Sequence, residues 1–222
     1  ELAIVPARQC ATLLSKIAYE WAIGKYLNDI DLLWFIPLRE VQGETLIAHI
    51  PQMYIDRGIE MDKQIIERYM KVKQRRTMFL FDGLDEYAGD IRNTDVNDVV
   101  TGIMRGDEFK ASPVIVTTRP WRVEQISSTP TLALRYSQVV VNGFNKEDVV
   151  DYVKKFFISD QRSANSLNQL IQEDSLVATN MAPYPIFCCM LCNMWKQEKR
   201  RESIKALETF SQLFDEMVYA LS

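Results

Sequence analysis

Met78-Phe79-Leu80-Phe81-Asp82-Gly83-Leu84-Asp85-Glu86-Tyr87 is the stretch on which the fold turns. Its apolar run is rich in strand formers and nearly free of polar residues, as a central parallel strand covered on both faces must be. The run ends on an aspartate and then a glycine, so the strand delivers a carboxylate at its carboxyl end and the chain turns at once. In open α/β sheets ligands bind in the crevice beyond those strand ends. A second run of the same kind, Pro113 to Thr118 (PVIVTT), comes later and ends in polar residues and Arg119.

Working outward, three further runs read as strands: Leu2 to Val5, Leu32 to Leu38 (LLWFIPL) and Ser137 to Val141 (SQVVV). Segments of helical period separate them at Thr12 to Tyr26, at Glu44 to Lys73 with breaks near Pro51 and Gly58, and at Asp95 to Phe109. Apolar runs alternating with helical segments are the signature of βαβ units and a parallel sheet. After the fifth strand the alternation stops. Lys146 to Phe157, Ser166 to Ala178, Pro185 to Lys196 and Ser203 to Leu221 read as consecutive helices. The expected organisation is an α/β domain over residues 1–143 and a helical subdomain over 144–222.

Composition narrows the function classes. In 222 residues, 26 Lys and Arg stand against 30 Asp and Glu, a formal charge of −4, so no cationic excess is available for neutralising nucleic-acid phosphates. Hydrophobic residues at 47% and charged residues at 25% are those of an ordinary globular domain and exclude a disordered chain. The longest nearly apolar stretch, Pro185 to Trp195, is interrupted by Asn193 and falls far short of the roughly 20 residues of a membrane span. The start at Glu1, with no basic region ahead of an apolar one, reads as a cut from a longer chain without a secretory signal. Four cysteines, three of them crowded into one helical pattern, give no disulfide framework and fit a reducing, cytoplasmic setting.

The chemistry concentrates at two strand ends. Asp82 stands where phosphate-handling enzymes place a Mg²⁺ carboxylate, usually acting through water, because a hard cation prefers oxygen ligands. Gly83 permits the tight turn, and Asp85 and Glu86 add carboxylates able to orient or deprotonate a water. One strand later, the planar fork of Arg119 suits a terminal phosphate. Taken singly, these are an acidic strand-to-loop turn and a surface ion-pair arginine. Together, adjacent strand ends bearing carboxylates and then Arg favour an anion and metal site.

FLFDGLDEY, VIVTTRPW, the strand FIPLRE (Phe35 to Glu40), VNGFNKEDVVDYVKKFF (Val141 to Phe157) and APYPIFCCMLCNMW (Ala182 to Trp195) resemble, in order, the landmarks of the NACHT family of signalling NTPases. The resemblance covers nearly the whole chain. It implies a parallel sheet like that of P-loop NTPases, followed by a small helical subdomain. It further implies Asp82 as the Walker B magnesium residue, Asp85 and Glu86 as the family's additional acidic pair, Arg119 as sensor 1, and Pro185, at the start of a helix, as an adenine contact. ATP or ADP with Mg²⁺ would be the cofactor. Self-association with other such modules, and effector or sensor domains outside this chain, would be the partners.

The chain departs from the family at one point. A G-x-x-x-x-G-K-[ST] loop between the first strand and first helix would hold phosphates on backbone N–H groups and a Lys, and Mg²⁺ on the hydroxyl. Here Val5-Pro6-Ala7-Arg8-Gln9-Cys10-Ala11 leads into the expected helix, with Cys10 at the Lys position, Ala11 at the Ser/Thr position, and Gln9 and Ala7 in place of glycines. A loop without glycine does not readily reach the φ > 0 conformations that turn amides inward.

Other features read as structural. Cys189-x-x-Cys192 has metal-ligand spacing, but there is no second such pair, and the one histidine, His49, is remote in sequence. Ile186, Met190 and Met194, with Phe187, Leu191 and Trp195, form two i, i+4, i+8 ridges of a core helix. The basic runs Lys71 to Arg76 and Lys196 to Arg201 read as solvated helix ends. The resemblance therefore implies a nucleotide-binding signalling and oligomerisation module of the innate-immune or cell-death type, and the departure at residues 5–11 implies impaired or absent hydrolysis. The alternative is a nucleotide-independent interaction scaffold, or a partial chain, that keeps the fold.

Overall fold

The structure, a computed structural model, describes residues 3–6, 10–41, 62–92, 98–206 and 208–221. Two compact units divide it, Glu1–Val141 and Asn142–Ser222. In the first, β1 (Ala3–Pro6), β2 (Leu32–Pro37), β3 (Thr77–Asp82), β4 (Val114–Thr118) and β5 (Ser137–Gln138) form one all-parallel sheet in the order β2-β3-β4-β1-β5. The helices between them are α1 (Cys10–Ala22), α2 (Lys63–Val72), α3 (Val99–Arg105), α4 (Pro120–Ser127) and the single turn α5 (Pro130–Ala133).

β3 lies between β2 and β4 and is buried on both faces, which its composition requires. Phe79 and Phe81, both fully buried, face one way and pack with Trp34, Ile36, Val116, Ile103 and Phe109. Met78 and Leu80 face the other way, against Leu14 of α1 and Leu33. The Phe79 and Phe81 rings stack at 5.9 Å between centroids. Pairing runs in register from Leu32 opposite Thr77 to Pro37 opposite Asp82, and from Phe79 opposite Val114 to Phe81 opposite Val116. Pro37 is tolerated because β2 is an edge strand, where a missing N–H breaks no ladder on the open side. β1 pairs with β4 on one side and β5 on the other, so the ends of β3 and β1 flank the end of β4.

The elements differ from the sequence expectation where local signals compete. Most of the expected Glu44 to Lys73 helix lies outside the described residues, with Pro51, Gly58 and His49; its end is α2, capped by Asp62, whose carboxylate accepts from the Gln64 N–H at 2.9 Å. The expected Asp95 to Phe109 helix stops at Arg105, because Gly106 takes a left-handed conformation (φ 78°) and closes it. Asp98 caps its start. Two helices not expected from the sequence, α4 and α5, come after β4; each carries proline at its first position, a preferred helix start. β5 is shorter than Ser137 to Val141, and Val139 and Val140 are exposed.

The second unit is helical. α6 (Lys146–Phe156) opens on a reciprocal cap: the Asp148 N–H donates to the Asn145 side chain at 2.8 Å, and the Asn145 N–H donates to the Asp148 carboxylate at 3.0 Å. The single helix expected over Ser166 to Ala178 is instead α7 (Gln161–Gln169), a π-helical turn (Leu170–Asp174) and α8 (Leu176–Met181). Ser175 breaks the run by capping α8, its hydroxyl accepting from the Ala178 N–H. α9 (Pro185–Trp195) starts at Pro185, as expected. Cys188, Leu191, Cys192, Met194 and Trp195 are buried on it, while Ile186 is 59% exposed, so that ridge enters the core only after its first turn. The Ser203 to Leu221 segment is likewise two helices, α10 (Arg201–Lys205) and α11 (Phe210–Leu221). Arg200 ties them, donating to the main-chain carbonyls of Glu216 at 3.2 Å and Tyr219 at 3.1 Å.

The packing of the first unit carries two expectations. Phe81→Ala is expected to cost about 3–5 kcal/mol, the range for emptying an aromatic site in a close-packed core, whereas Asp82→Asn at the rim is expected to stay within about 1 kcal/mol, since the amide oxygen still accepts; urea melts of both variants measure the difference. Asp31, ahead of β2, is held to a pKa of about 2 by hydrogen bonds from Arg76 and then Tyr69. A carboxylate with a depressed native pKa contributes stability that is fully present above its unfolded value near 3.9 and is lost as pH falls toward 2. Asp31→Asn is therefore expected to flatten the stability profile between about pH 4 and 2, read from urea midpoints at each pH.

Candidate acidic site at the β3 and β4 strand ends

A strand that is apolar on both faces holds its first ionisable group where the sheet ends, and on β3 that group is Asp82. It is fixed by β4. The Thr117 hydroxyl, wholly buried, donates to Asp82 Oδ1 at 2.7 Å and accepts from the Gly83 N–H at 2.9 Å. One side chain thereby sets the carboxylate's rotamer and satisfies the amide that comes after it. Among the described residues nothing else pairs with Asp82, which leaves Oδ2 available.

Gly83 then reverses the chain. Its φ of 79° lies in the left-handed region that costs other residues roughly 1–2 kcal/mol, and it starts a short 3-10 turn, Leu84–Glu86. Leu84 is fully buried and anchors the turn in the core. Beyond it, the Tyr87 hydroxyl donates to Asp98 Oδ1 at 2.6 Å, joining the turn to the start of α3. Burial, with the Asp98 carboxylate beside it, pushes the Tyr87 phenol above its usual value, so Tyr87 serves as a neutral donor at physiological pH. The acidic turn is pinned at both ends.

Within that turn the two carboxylates differ. Asp85 is 4% exposed at its side chain, and its Oδ2 lies 2.9 Å from the Nε of Arg119. Its other oxygen, Oδ1, is buried without a partner among the described residues. Glu86 is exposed and unpaired among them. Arg119 is the residue before α4, extended in backbone (φ −77°, ψ 155°) and half exposed at its side chain. Next to it, Trp121 is 56% exposed and carries the Arg122 guanidinium at 5.7 Å from its ring centre. A second orphaned group, the buried Thr118 hydroxyl, lies at the end of β4.

The structure thus brings Asp82, Asp85, Glu86 and Arg119 to one pair of strand ends. Pro185 belongs to the other unit, at the first position of α9. Ala7, Arg8 and Gln9 lie outside the described residues; Cys10 opens α1, so three positions separate the last residue of β1 from the first of α1. Thr117 was not singled out from the sequence. Its signal was the register, since a polar residue one step past Val116 falls opposite Asp82.

The donor set can be tested against the metal and nucleotide that the sequence implies. Among the described residues, no three His, Cys, Asp or Glu side chains are grouped so that they could hold a metal ion. That excludes an all-protein cage over those residues, but Mg²⁺ normally takes one or two carboxylates and fills its octahedron with water and phosphate oxygens. A lone, oriented Asp82 fits that requirement. The guanidinium of Arg119, a cation held by Asp85, suits a phosphate and not the metal, and the buried Oδ1 of Asp85 is open to neither.

Thr117→Val is expected to cost about 1–3 kcal/mol, because it leaves the Gly83 amide buried without an acceptor and frees Asp82. Thr117→Ser, which keeps the hydroxyl, is expected to recover most of that loss. Paired urea titrations check both.

Residues 11–160 match the family model described as NACHT domain. The mouse Protein NLRC5 is 24% identical over 222 residues, spanning 95% of this chain and 11% of its own length. The human NLR family CARD domain-containing protein 3 is 25% identical over 204 residues, spanning 83% of this chain and 18% of its own. This chain therefore spans only a small part of the length of these relatives. Among solved structures, the Thermotoga maritima RuvB Holliday junction branch migration motor superposes on all of this chain and 60% of its own, with a TM-score of 0.49 and 10% identity. With the model matching well over half of its residues, and with the parallel sheet and strand-end carboxylate described above, this chain belongs to the NACHT domain family.

Proposed function

We propose that this chain is a nucleotide-binding signalling module of NLR type, in which the β3 and β4 strand ends engage the phosphates and Mg²⁺ of ATP or ADP with impaired hydrolysis. The observation that carries the reading is Asp82, oriented by Thr117 with one oxygen left available, at the pair of strand ends where Arg119 meets Asp85. Asp82 would hold Mg²⁺, directly or through water, and Arg119 would meet the terminal phosphate. Of the two carboxylates able to orient or deprotonate a water, Glu86 is the exposed one. Pro185 would contact the adenine from the helical unit. When bound, Mg²⁺ supplies charge neutralisation for the phosphates. Self-association with other NACHT modules, linkage to effector or sensor domains, and a cytoplasmic setting belong to the same proposal. Among the described residues no helix is long and apolar enough to cross a membrane.

Impaired affinity and hydrolysis result from the segment between β1 and α1. With Cys10 and Ala11 where Lys and a hydroxyl are needed, charge-assisted contacts of roughly 1.5–3 kcal/mol each are missing. The same stretch favours the second reading, an interaction scaffold that keeps the fold and does not use nucleotide.

Titration calorimetry separates the two. ATP with Mg²⁺ is expected to bind with a Kd no tighter than about 100 μM; submicromolar binding would show that another element replaces the missing loop. Grafting a G-x-x-x-x-G-K-T loop that includes Gln9→Gly, Cys10→Lys and Ala11→Thr is expected to restore two such contacts, about 3–6 kcal/mol, or roughly 100-fold to 10,000-fold in affinity. The gain should depend on Mg²⁺ and shrink in an Asp82→Asn background, which a double-mutant cycle measures. A folded graft without a Mg²⁺-dependent gain would favour the scaffold.

A further inference from the structure

We propose that Ser203 is a phosphorylation site for a serine kinase that reads arginines, and that its phosphoryl group draws Arg200 away from α11 and loosens the end of that helix. The site lies wholly within the helical unit and does not depend on nucleotide binding at the strand ends. The run Lys199-Arg200-Arg201-Glu202-Ser203 sets two arginines three and two residues ahead of a serine, the arrangement such kinases select. From sequence this basic run is expected to be a solvated helix end, but the structure turns both arginines inward. The Arg200 side chain is 16% exposed. Arg201 donates from Nε to the Trp195 carbonyl at 2.9 Å and from Nη2 to the Ser163 hydroxyl at 2.7 Å.

Ser203 itself is left open. It lies half-buried on the five-residue helix α10, and among the described residues its hydroxyl has no partner. With Glu198, Lys199, Arg200, Glu216 and Tyr219 it lines a cavity of about 630 Å³, which has room for a phosphoryl group. The two acidic and two basic side chains of that lining balance in charge, so a phosphoserine, with a charge of about −1.5 to −2 at pH 7, leaves the cavity strongly negative. Arg200 stands three residues before Ser203, the spacing of neighbours on a helical turn. Its guanidinium now donates to the Gln197 side chain at 2.7 Å and to the carbonyls of Glu216 and Tyr219, and it lies 5.1 Å from the Tyr219 ring centre. Tyr219 belongs to the last turn of α11, where carbonyls lack partners within the helix, so Arg200 caps that end. Bonds to an ionised phosphate are stronger than bonds to neutral carbonyls, and the phosphate repels Glu216, which draws Arg200 off the cap. The first half of α11 stays held by the buried Leu213 and by Phe214, whose ring meets Phe187 edge-on at 5.6 Å, so the loosening is confined to the last turn. In the transfer, Ser203 Oγ bonds to the γ-phosphorus of ATP on the kinase, the bond to the β-phosphate oxygen breaks, ADP leaves, and the hydroxyl proton passes to the kinase's base.

The test treats the whole chain with Mg²⁺, ATP and the catalytic subunit of an arginine-directed serine kinase, maps the phosphate by tandem mass spectrometry and then follows hydrogen–deuterium exchange, with thermal melts to confirm folding. A phosphoryl group is expected on Ser203, with no incorporation at that position in Ser203→Ala. Amides in the last turn of α11 are expected to exchange roughly fivefold faster or more in the phosphorylated chain, with those of α9 kept within about twofold. Arg200→Gln is expected to speed the same amides without any phosphate. Ser203→Glu, which supplies part of the charge, should speed them about twofold or more in the wild-type background and add nothing in the Arg200→Gln background, since both act on one cap. Should Arg200→Gln fail to fold, Arg200→Lys keeps the charge but not the fork, and the effect of Ser203→Glu is expected to fall by about half or more in that background. Absence of phosphate from Ser203 of the folded chain, unchanged exchange at the end of α11, acceleration spread over the whole helical unit, or equal effects of Ser203→Glu with and without Arg200 would each overturn the proposal.

Discussion

A strand covered on both faces has no place for a charge along its length, and β3 is built to that constraint. Phe79 and Phe81 are committed to one layer of helices, Met78 and Leu80 to the other, so the first side chain free to be ionised is the one at which the sheet ends. The carboxylate of Asp82 is therefore placed by exclusion from the core before any ligand is considered. Once there, it must be oriented, and the neighbouring strand supplies Thr117 in register. The order β2-β3-β4-β1-β5 puts β4 between the strand that carries Asp82 and the strand that leads into the first helix. The end of β4 consequently borders both the strand end that carries Asp82 and the strand that leads into α1.

That border explains why a hydroxyl at the end of β4 is followed, two residues on and just past the strand, by a guanidinium. Residues two apart on a strand project to the same side, and Thr117 and Arg119 reach Asp82 and Asp85 respectively. Each link joins the β3 tip to the β4 tip across a boundary where the backbone ladder has run out. A neutral hydroxyl serves where a carboxylate must keep one oxygen available. A cation serves where the carboxylate is buried, because a desolvated charge left alone costs far more than one paired at 2.9 Å.

Sequence alone carried the apolar runs, their burial on both faces and the polar residues at their ends, because strand composition and turn residues are local properties. MFLFDG declares a buried strand and a turn without reference to anything else in the chain. The linkage of Asp85 to Arg119 was not legible in the same way: it depends on which strands are neighbours and on their register, and these are set by the packing of segments far apart in the chain. The helix boundaries that sequence periodicity missed, at Gly106 and Ser175, were decided by a single left-handed residue and a single capping hydroxyl inside otherwise continuous apolar patterns. Periodicity averages over such points, whereas the backbone responds to them individually. Pro120 and Pro130 each begin a short helix that the sequence reading did not include.

The unequal state of the two halves of the site has a physical logic. Thr117, Leu84 and Tyr87 are tied into the core of the sheet, so losing any of them would cost stability whether or not a ligand binds, whereas Asp82 stands at the rim. The segment between β1 and α1 has no such tie in its sequence: glycines, a lysine and a hydroxyl there would matter for phosphate alone and would contribute nothing to burying β1. Of two features serving one ligand, the one that also supports the fold is the harder to lose. The polar framework of the β3 tip by itself therefore speaks less strongly for nucleotide binding than Glu86, which is exposed and unpaired among the described residues and on which the core makes no demand.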